Sequence, residues 1–212
     1  MNLRITEIFY SLQGESRTAG FPTVFIRLTG CPLRCDYCDT TYAFQGGEKI
    51  EISDVLKRVA KYQPHYVTVT GGEPLAQNAC LTLLSSLCDA GYEVSLETSG
   101  AIDVSNVDQR VIKVMDLKTP ASGESEKNLY QNINKLNSQD QIKFVLGNRA
   151  DYDWSKDIIS EYSLDGKCEI LFSPVHGKLE PVQLAEWILH DKLNVRMQIQ
   201  LHKLLWGNEK GR

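Results

Sequence analysis

The feature that most constrains the fold is a regular alternation of two kinds of segment along the chain. Short β-branched runs at residues 23–30, 65–72 and 92–100 are separated by amphipathic segments at residues 51–63 and 75–91. Apolar runs of this length predict buried strands, and the amphipathic segments between them predict helices. Strands that alternate with helices in this way are typical of a parallel sheet. The sequence therefore predicts an α/β fold with a mostly parallel sheet.

The same pattern continues through the second half of the chain. Further strand candidates lie at residues 110–118, 141–147, 168–175 and 194–202, and further helix candidates lie at residues 151–162 and 180–192. Residues 119–140 are polar and rich in turn-forming residues, which predicts a loop or a short exposed helix.

Most of the predicted strands end in polar or glycine-bearing segments. These are TGC at 29–31, TGGEP at 70–74, ETSG at 97–100, DLK at 116–118 and SPVHG at 173–177. Parallel α/β folds build their sites at the carboxyl ends of strands, so a site is expected there. A complete eight-fold (β/α) barrel takes about 250 residues, whereas this chain has 212. We therefore predict a single domain over residues 1–212 that forms an incomplete (β/α) barrel.

The composition and the first residues of the chain indicate the compartment and the classes of partner. The sequence begins MNLRITEIFY, which is not a basic start followed by a long apolar stretch, and no window reaches the roughly 18 apolar residues of a membrane span. The net charge is −4, and the basic residues are scattered along the chain. An extended nucleic-acid surface would need basic residues gathered on one face. We expect a cytoplasmic protein that binds neither a membrane nor nucleic acid.

Three cysteines, Cys31, Cys35 and Cys38, follow the first predicted strand in the stretch TGCPLRCDYCDTTY. Disulfides are rare in the cytoplasm, and both a structural zinc ion and the cluster of an electron-transfer ferredoxin take four protein ligands. A 4Fe-4S cluster held by only three thiolates keeps one iron open for a substrate or cofactor. The remaining cysteines are predicted to be buried structural residues, namely Cys80, Cys88 and Cys168.

The CxxxCxxC spacing, with Tyr37 directly before the last cysteine, resembles the radical S-adenosylmethionine superfamily. The strand VTVTGGEP at residues 67–74 resembles the second motif of that superfamily in order and separation. The resemblance implies that the three cysteines hold a 4Fe-4S cluster and that the open iron binds S-adenosylmethionine, which one electron cleaves to a 5′-deoxyadenosyl radical. It also implies that Gly71, Gly72 and Glu73 contact the amino group of the methionine part.

Further motifs span almost the whole chain and resemble the 7-carboxy-7-deazaguanine synthase family. They are SLQGE at 11–15, RLTGCPLRCDYCDT at 27–40, TGGEP at 70–74, ETSG at 97–100 and QLHK at 200–203. The resemblance implies ring contraction of 6-carboxy-5,6,7,8-tetrahydropterin to 7-carboxy-7-deazaguanine with loss of ammonia. This is a carbon–nitrogen lyase reaction on the route to queuosine and other 7-deazapurines. The resemblance also implies Mg2+, a flavodoxin or ferredoxin as electron donor, and a homodimer.

The family resemblance also implies roles for individual residues. The pterin would contact Leu12, Gln13, Gly14, Glu15, Arg27, Thr70 and His202. The cofactor would lie against Asp36, Tyr37, Cys38, Gly71, Gly72, Glu73, Ser99, Asp116, Leu117, Lys118, Ser173, Pro174, Val175 and His176. The guanidinium fork of Arg27 suits the substrate carboxylate, and the hydroxyl oxygen of Thr40 suits Mg2+.

Residue types alone leave other interpretations open. An arginine within an apolar strand, as at Arg27, needs an anionic partner, and a salt bridge within the protein also provides one. Thr40 fits a turn, and His202 is a single histidine at a predicted strand end that also fits a structural role. A radical activase of a partner enzyme would lack SLQGE and Arg27. A zinc-stabilised binding module would be distinguished by metal analysis.

Overall fold

A nine-stranded sheet organises the computed structural model, which describes residues 1–207, 209 and 211. Its strands are β1 (Asn2–Leu12), β2 (Pro22–Leu28), β3 (Glu48–Glu51), β4 (Tyr66–Gly71), β5 (Glu93–Thr98), β6 (Ile112–Leu117), β7 (Gln141–Leu146), β8 (Glu169–Pro174) and β9 (Arg196–Met197). Their order is β3-β1-β2-β4-β5-β6-β7-β8-β9. β1 is antiparallel to β2 and β3, and every other neighbouring pair is parallel. Because β3 and β9 are opposite edges, the sheet is open. The α/β fold with a mostly parallel sheet and an incomplete barrel is confirmed.

Five α-helices are present among the described residues. They are α1 (Ile52–Ala60), α2 (Ala79–Asp89), α3 (Arg149–Glu161), α4 (Pro181–Asp191) and α5 (Leu201–Trp206). α1 buries Ile52, Val55 and Val59, which recur at helical spacing. α3 begins after Asn148, whose side-chain oxygen accepts a hydrogen bond from the Asp151 N–H. In the described part of the chain, no helix has both the length and the apolar character needed to cross a bilayer.

Two apolar clusters hold the helices on the sheet. The first joins β1, β2, β4 and β5 to α1 and α2, and the second joins β6, β7 and β8 to α3 and α4. Each fully buried large apolar side chain contributes about 1.5–3 kcal/mol to folding. Cys80 is fully buried in the first cluster as predicted, whereas Cys88 and Cys168 are only partly buried beside the two clusters.

The strand predictions differ from the structure at both ends of the chain. β1 and β3 were not predicted, because β1 shows buried alternation only at its start and β3 buries a single residue, Ile50. The predicted strand at residues 194–202 forms a ladder only at Arg196–Met197, and α5 begins soon afterwards. Residues 119–140 contain three short 3-10 segments, at Pro120–Ser122, Ser125–Lys127 and Tyr130–Lys135.

Candidate functional site

A cavity of about 790 Å³ opens at the carboxyl ends of the parallel strands. It is lined by most of the residues that the sequence predicted: Leu12, Gln13, Gly14, Glu15, Arg27, Cys31, Cys35, Asp36, Tyr37, Cys38, Thr40, Thr70, Gly71, Gly72, Ser99, Asp116, Lys118, Pro174, Val175, His176 and His202. Glu73, Leu117 and Ser173 were also predicted, but they do not line the cavity and are buried within the protein. Folding therefore brings the separate motifs to one edge of the sheet.

The loop at residues 30–43, here called the three-cysteine loop, is fixed through its backbone. The Asp36 N–H donates to the Ser122 carbonyl at 3.0 Å, and the Arg34 N–H donates to the Glu124 carboxylate at 2.6 Å. Both acceptors belong to the segment that follows β6, which the sequence assigned only to a loop or short helix. This segment thus supports the wall of the cavity that carries the thiols.

The thiols of the three-cysteine loop fit an iron-sulfur cluster better than a single metal ion. Burial raises the pKa of Cys31 and raises the pKa of Cys35 to about 11, so each thiolate needs a nearby cation. Within residues 1–207, 209 and 211, no three His, Cys, Asp or Glu side chains converge on a position for one ion. In a 4Fe-4S cluster each thiolate binds a different iron, so the sulfur atoms do not need to converge.

Gly72 allows the turn after β4 to pack against the three-cysteine loop. A Cβ atom at Gly72 would lie 2.3 Å from the Gly30 carbonyl oxygen and 2.7 Å from the Cβ of Cys31. These distances are too short for non-bonded atoms, so a side chain here would displace the loop. The Glu73 N–H donates to the same Gly30 carbonyl at 2.8 Å and secures the contact.

The buried carboxylate of Glu73 joins this turn to the end of β5. It accepts hydrogen bonds from the Ser99 N–H at 2.7 Å, the Ser99 hydroxyl at 2.5 Å and the Thr98 hydroxyl at 3.0 Å. It also accepts from the Leu75 N–H of its own turn at 3.0 Å. A buried charge requires such partners. Glu73 therefore fixes the TGGEP and ETSG motifs relative to each other.

Arg27 presents part of its guanidinium to the cavity from β2. Its guanidinium carbon lies 5.8 Å from the ring centroid of Phe9 and 5.9 Å from that of Tyr42. Its Nε donates to Glu7 Oε1 at 2.7 Å, and the Tyr42 hydroxyl donates to the same oxygen at 2.8 Å. Burial opposes the charge, but Tyr42 and Glu7 outweigh burial and raise the pKa of Arg27. Among the described residues, only Nε makes a hydrogen bond, so both terminal nitrogens are available to a ligand carboxylate.

Five charged side chains on the floor of the cavity are called here the charged floor. They are Glu15, Glu97, Asp116, Lys118 and Lys143. Glu97 accepts a hydrogen bond from the Thr70 hydroxyl at 3.0 Å and one from Gln13 Nε2 at 3.5 Å. Burial raises the pKa of Glu97, although the charge of Lys143 partly opposes the shift. The side-chain amide of Gln13 thus contacts Glu97 of the charged floor.

The remaining members of the charged floor form consecutive ion pairs. Lys143 Nζ donates to Glu15 Oε2 at 2.8 Å and lies 3.6 Å from Asp116 Oδ2, which is 2.9 Å from Lys118 Nζ. Asp116 Oδ1 is buried and has no hydrogen-bond partner in the described part of the chain. A buried acceptor without a donor is costly. This oxygen therefore fits a hydroxyl or amino group of a bound ligand.

Thr40 and Asp39 provide neighbouring oxygen atoms at another part of the cavity. The Thr40 hydroxyl donates to Asp39 Oδ1 at 2.8 Å, and Gln200 Nε2 donates to Asp39 Oδ2 at 3.4 Å. Burial opposes ionisation of Asp39, but the Thr40 hydrogen bond and the Lys203 charge outweigh it and lower the pKa of this carboxyl. A hydroxyl oxygen beside an ionised carboxylate is a suitable donor set for Mg2+.

His202 lies in α5 and not at a strand end, which corrects the sequence prediction. The reason is that the Leu201 N–H donates to the Gly14 carbonyl at 3.1 Å, so the chain turns towards the loop after β1. A Cβ atom at Gly14 would lie 2.7 Å from His202 Nδ1, so a side chain at this position would displace the imidazole. Burial lowers the pKa of His202 and favours a neutral imidazole in the cavity.

Comparison with known proteins identifies the family. The profile of the Radical SAM superfamily matches residues 25–118. The chain is 49% identical to the 7-carboxy-7-deazaguanine synthase of Chlorobaculum tepidum, over 97% of this chain and 94% of that protein. The chain belongs to the 7-carboxy-7-deazaguanine synthase family. The synthase of Koribacter versatilis is 40% identical over 98% of both chains. Both sequence resemblances are thereby confirmed, together with the 4Fe-4S cluster and S-adenosylmethionine as cofactors.

Solved structures share the fold of this 7-carboxy-7-deazaguanine synthase family member. QueE from Escherichia coli superposes with a TM-score of 0.78 at 24% identity, and the match covers 94% of each chain. Streptococcus suis SuiB bound to S-adenosylmethionine has a TM-score of 0.57 at 14% identity, over 81% of this chain and 45% of SuiB. At these identities the likeness concerns the fold alone.

Several residues of this synthase-family site were not predicted from the sequence. Those that the description above uses are Glu7, Asp39, Tyr42, Glu97 and Lys143. Lys143 could have been found by the reasoning applied to Arg27, because it too is an ionisable residue within a predicted apolar strand. Glu97 lies in the quoted ETSG motif, but only Ser99 of that motif was selected. Glu7 offered no signal, because β1 itself was not predicted.

Proposed function

We propose that this protein converts 6-carboxy-5,6,7,8-tetrahydropterin to 7-carboxy-7-deazaguanine with loss of ammonia. It would act as a carbon–nitrogen lyase in the biosynthesis of queuosine and other 7-deazapurines. The observation that carries the proposal is the presence of three thiols, a glycine turn and the guanidinium of Arg27 in one cavity. The thiols and the turn are suited to the cofactors, and the guanidinium is suited to a substrate that bears a carboxylate. The name of the relatives supports the same reaction.

The three-cysteine loop would hold the cluster through Cys31, Cys35 and Cys38. When bound, the cluster and S-adenosylmethionine supply the hydrogen-atom abstraction that begins the reaction. The protein orients these groups and excludes water. Asp116 Oδ1 offers an unused acceptor to a cofactor hydroxyl or amino group. The other cofactor contacts would come from the lining residues Asp36, Tyr37, Gly71, Gly72, Ser99, Lys118, Pro174, Val175 and His176.

Three predicted cofactor residues would act from behind the cavity wall. Glu73 holds the turn of Gly72 against the end of β5, as its hydrogen bonds to Ser99 indicate. Leu117 and Ser173 are buried in β6 and β8, next to strand-end residues that line the cavity. We assign positioning roles to these three residues instead of direct contact with the cofactor.

The substrate would bind on the side of the cavity that contains Arg27. The two terminal nitrogens of Arg27 bind the substrate carboxylate, because Glu7 already occupies Nε and fixes the plane of the guanidinium. Glu15 and His202 provide polar groups for the pterin ring. The residues Leu12, Gln13, Gly14 and Thr70 complete this part of the lining.

Mg2+ would bind at Thr40, with the carboxylate of Asp39 as its neighbour. The cation suits a site of few protein oxygens because it keeps several of its waters.

We further propose the wider organisation of the enzyme. Residues 1–212 would form one radical S-adenosylmethionine domain, which the continuous sheet beneath both apolar clusters supports. The enzyme would be a cytoplasmic homodimer that receives electrons from a flavodoxin or ferredoxin. The SLQGE motif, Arg27 and full-length similarity to the synthases favour this function over a radical activase or a zinc-stabilised module.

An anaerobic turnover assay tests the proposal. The reconstituted protein is incubated with dithionite, S-adenosylmethionine, Mg2+ and 6-carboxy-5,6,7,8-tetrahydropterin, and 7-carboxy-7-deazaguanine is detected by mass spectrometry. We expect product, and we expect about four irons per chain. Cofactor cleavage without product would contradict the substrate assignment but not the superfamily. A colourless protein that contains zinc would contradict both.

A further inference from the structure

Lys143 is a buried cation to which the proposed reaction gives no role. It is the third residue of β7, and its side chain is only 11% exposed. In the parallel pairing of β6 with β7, Asp116 and Lys143 are direct partners, so their side chains lie on the same face of the sheet. A lysine is rarely buried in an apolar strand unless its charge is paired. Its partners therefore define its role.

The ammonium group of Lys143 contacts carboxylates from two different parts of the cavity. Glu15 belongs to the loop after β1, which also carries the predicted pterin contacts, and accepts a hydrogen bond from Lys143 Nζ at 2.8 Å. Asp116 belongs to β6, on the side of the predicted cofactor contacts, and lies 3.6 Å from the same nitrogen. Burial opposes the charge of Lys143, but Glu15, Asp116 and Glu97 raise its pKa well above the ordinary value.

The chain of charges extends from Asp116 towards the three-cysteine loop. Lys118 Nζ lies 2.9 Å from Asp116 Oδ2. Lys118 and Cys35 line the same cavity. Alternating charges thus run from Glu15 on the substrate side to Asp116 and Lys118 on the cofactor side, and Lys143 links the two sides.

Removal of the Lys143 charge would disturb both ends of this chain. Glu15 and Asp116 would repel each other across a poorly hydrated space, where charges interact more strongly than in water. With the ammonium in place, the position of one carboxylate limits the position of the other. A ligand group that binds at Glu15 and a ligand group that binds at Asp116 are then held in one fixed relation.

We propose that Lys143 is a positioning residue that holds Glu15 on the substrate side and Asp116 on the cofactor side in one arrangement, and that this arrangement couples cofactor cleavage to substrate conversion. This inference rests on the proposed function. It predicts that Lys143 acts through Glu15 and Asp116 and contacts neither the substrate nor the cofactor. Its loss would permit cofactor cleavage that forms 5′-deoxyadenosine without forming product.

The test compares Lys143→Met with Lys143→Arg and with a matched control, Lys113→Met. Lys113 is also buried and pairs with Asp140 at 3.1 Å, but it does not line the cavity. Two quantities are measured on cluster-loaded protein. One is the ratio of 7-carboxy-7-deazaguanine to 5′-deoxyadenosine, and the other is the dissociation constant of 6-carboxypterin, an unreactive analogue, without reductant. Thermal midpoints report on stability separately.

For Lys143→Met we expect a lower product ratio and a dissociation constant at least about tenfold higher, the size expected for a lost hydrogen bond to a charged group. Lys143→Arg should lie closer to the wild type, because it keeps the charge. Lys113→Met should lower the thermal midpoint and leave the other two quantities unchanged. If Lys143→Met does not fold, Lys143→Gln is measured with the same expectation.

Three outcomes would overturn the inference. One is a wild-type product ratio and dissociation constant in Lys143→Met, another is equal defects in Lys143→Met and Lys143→Arg, and the third is equal defects in Lys143→Met and Lys113→Met. Each of these would leave the proposed function intact if the wild type forms product. If the wild-type protein cleaves the cofactor but forms no product, the proposed function fails and the coupling role fails with it.

Discussion

The three-cysteine loop and the charged floor line the same cavity, but they are built in different ways. The loop takes its functional side chains from one continuous segment and is held through backbone hydrogen bonds. The floor takes its side chains from separate strands and the loop after β1, and it is held by ion pairs between them.

The difference shows that two kinds of stabilisation operate in one site. The backbone contacts of the loop do not depend on which side chains it carries, although the side chains of Arg34 and Tyr37 add hydrogen bonds of their own. Buried ion pairs are different, because loss of one partner leaves the other charge uncompensated in a poorly solvated position. We therefore expect substitutions in the loop to act through cofactor loading and substitutions on the strands to act through substrate binding and stability.

The largest effect is expected for Cys35→Ala, which removes one of the three proposed cluster ligands. Two thiolates should not retain a 4Fe-4S cluster, so the brown colour, the iron content and the product should all fall to background. Because the backbone contacts of the loop remain, the thermal midpoint of the cluster-free protein should change little. Cys88→Ala, a partly buried cysteine outside the cavity, serves as the control and should keep its iron. Normal iron and activity in Cys35→Ala would contradict the proposed ligation.

A smaller effect is expected for Glu7→Gln, which weakens the support of Arg27 without changing Arg27 itself. The Glu7 carboxylate accepts from both Arg27 Nε and the Tyr42 hydroxyl, so its charge fixes the guanidinium plane. The KM for the pterin should rise about three- to tenfold, as expected when a charge-assisted hydrogen bond becomes a neutral one. Iron content should stay at the wild-type value. Steady-state kinetics measure the effect.

The matched control for Glu7→Gln is Glu48→Gln. Glu48 pairs with Arg58 on the exposed surface at 3.3 Å and belongs to β3, the neighbour of β1. An exposed pair of this kind contributes little, so the KM should not change. A wild-type KM in Glu7→Gln, or an equal increase in Glu48→Gln, would show that Glu7 does not position Arg27.

The comparison also explains which parts of the site the sequence predicted. The three cysteines lie within eight residues, and their spacing indicated a cluster, whereas the roles of Tyr37 and Thr40 followed only from the family resemblance. The helices and the parallel strands followed from apolar periodicity, which depends only on local sequence. The residues of the cavity walls that were selected came from motifs at strand ends, where topology brings them together.

What the sequence did not predict depends on contacts between distant segments. The pair of Lys143 with Glu15 requires β1 and β7 to be arranged in the same sheet, and no local pattern indicates that. The hydrogen bonds of the Glu73 carboxylate with Thr98 and Ser99 join two strand ends that are separate in the sequence, so no local pattern indicates them. His202 was expected on a strand, but the contact of α5 with Gly14 outweighs the β-branched alternation.

The smallest effect, and the one that separates stability from function on the charged floor, is expected for Glu97→Gln. Burial raises the pKa of Glu97, so the folded state binds this proton more tightly than the unfolded state does. The contribution of Glu97 to stability is therefore fully present only at low pH and is lost as the pH rises through the folded-state pKa. At pH 8 the burial of an ionised carboxylate lowers the stability of the wild type, whereas the glutamine of Glu97→Gln carries no charge. The variant should unfold at a temperature higher by roughly 2–4 °C, which corresponds to about 1 kcal/mol in a chain of this size.

The advantage of Glu97→Gln should shrink as the pH falls and should vanish below the ordinary glutamate pKa of about 4.3, where the carboxyl becomes protonated in both states. Thermal unfolding at a series of pH values from 8 downwards measures this trend. Glu93→Gln, an exposed position on the same strand, should show no comparable trend. A thermal midpoint of Glu97→Gln below that of the wild type at pH 8 would mean that the attraction of Glu97 to Lys143 and Arg27 outweighs its burial. The ion pairs of the charged floor would then increase the free energy of unfolding instead of lowering it.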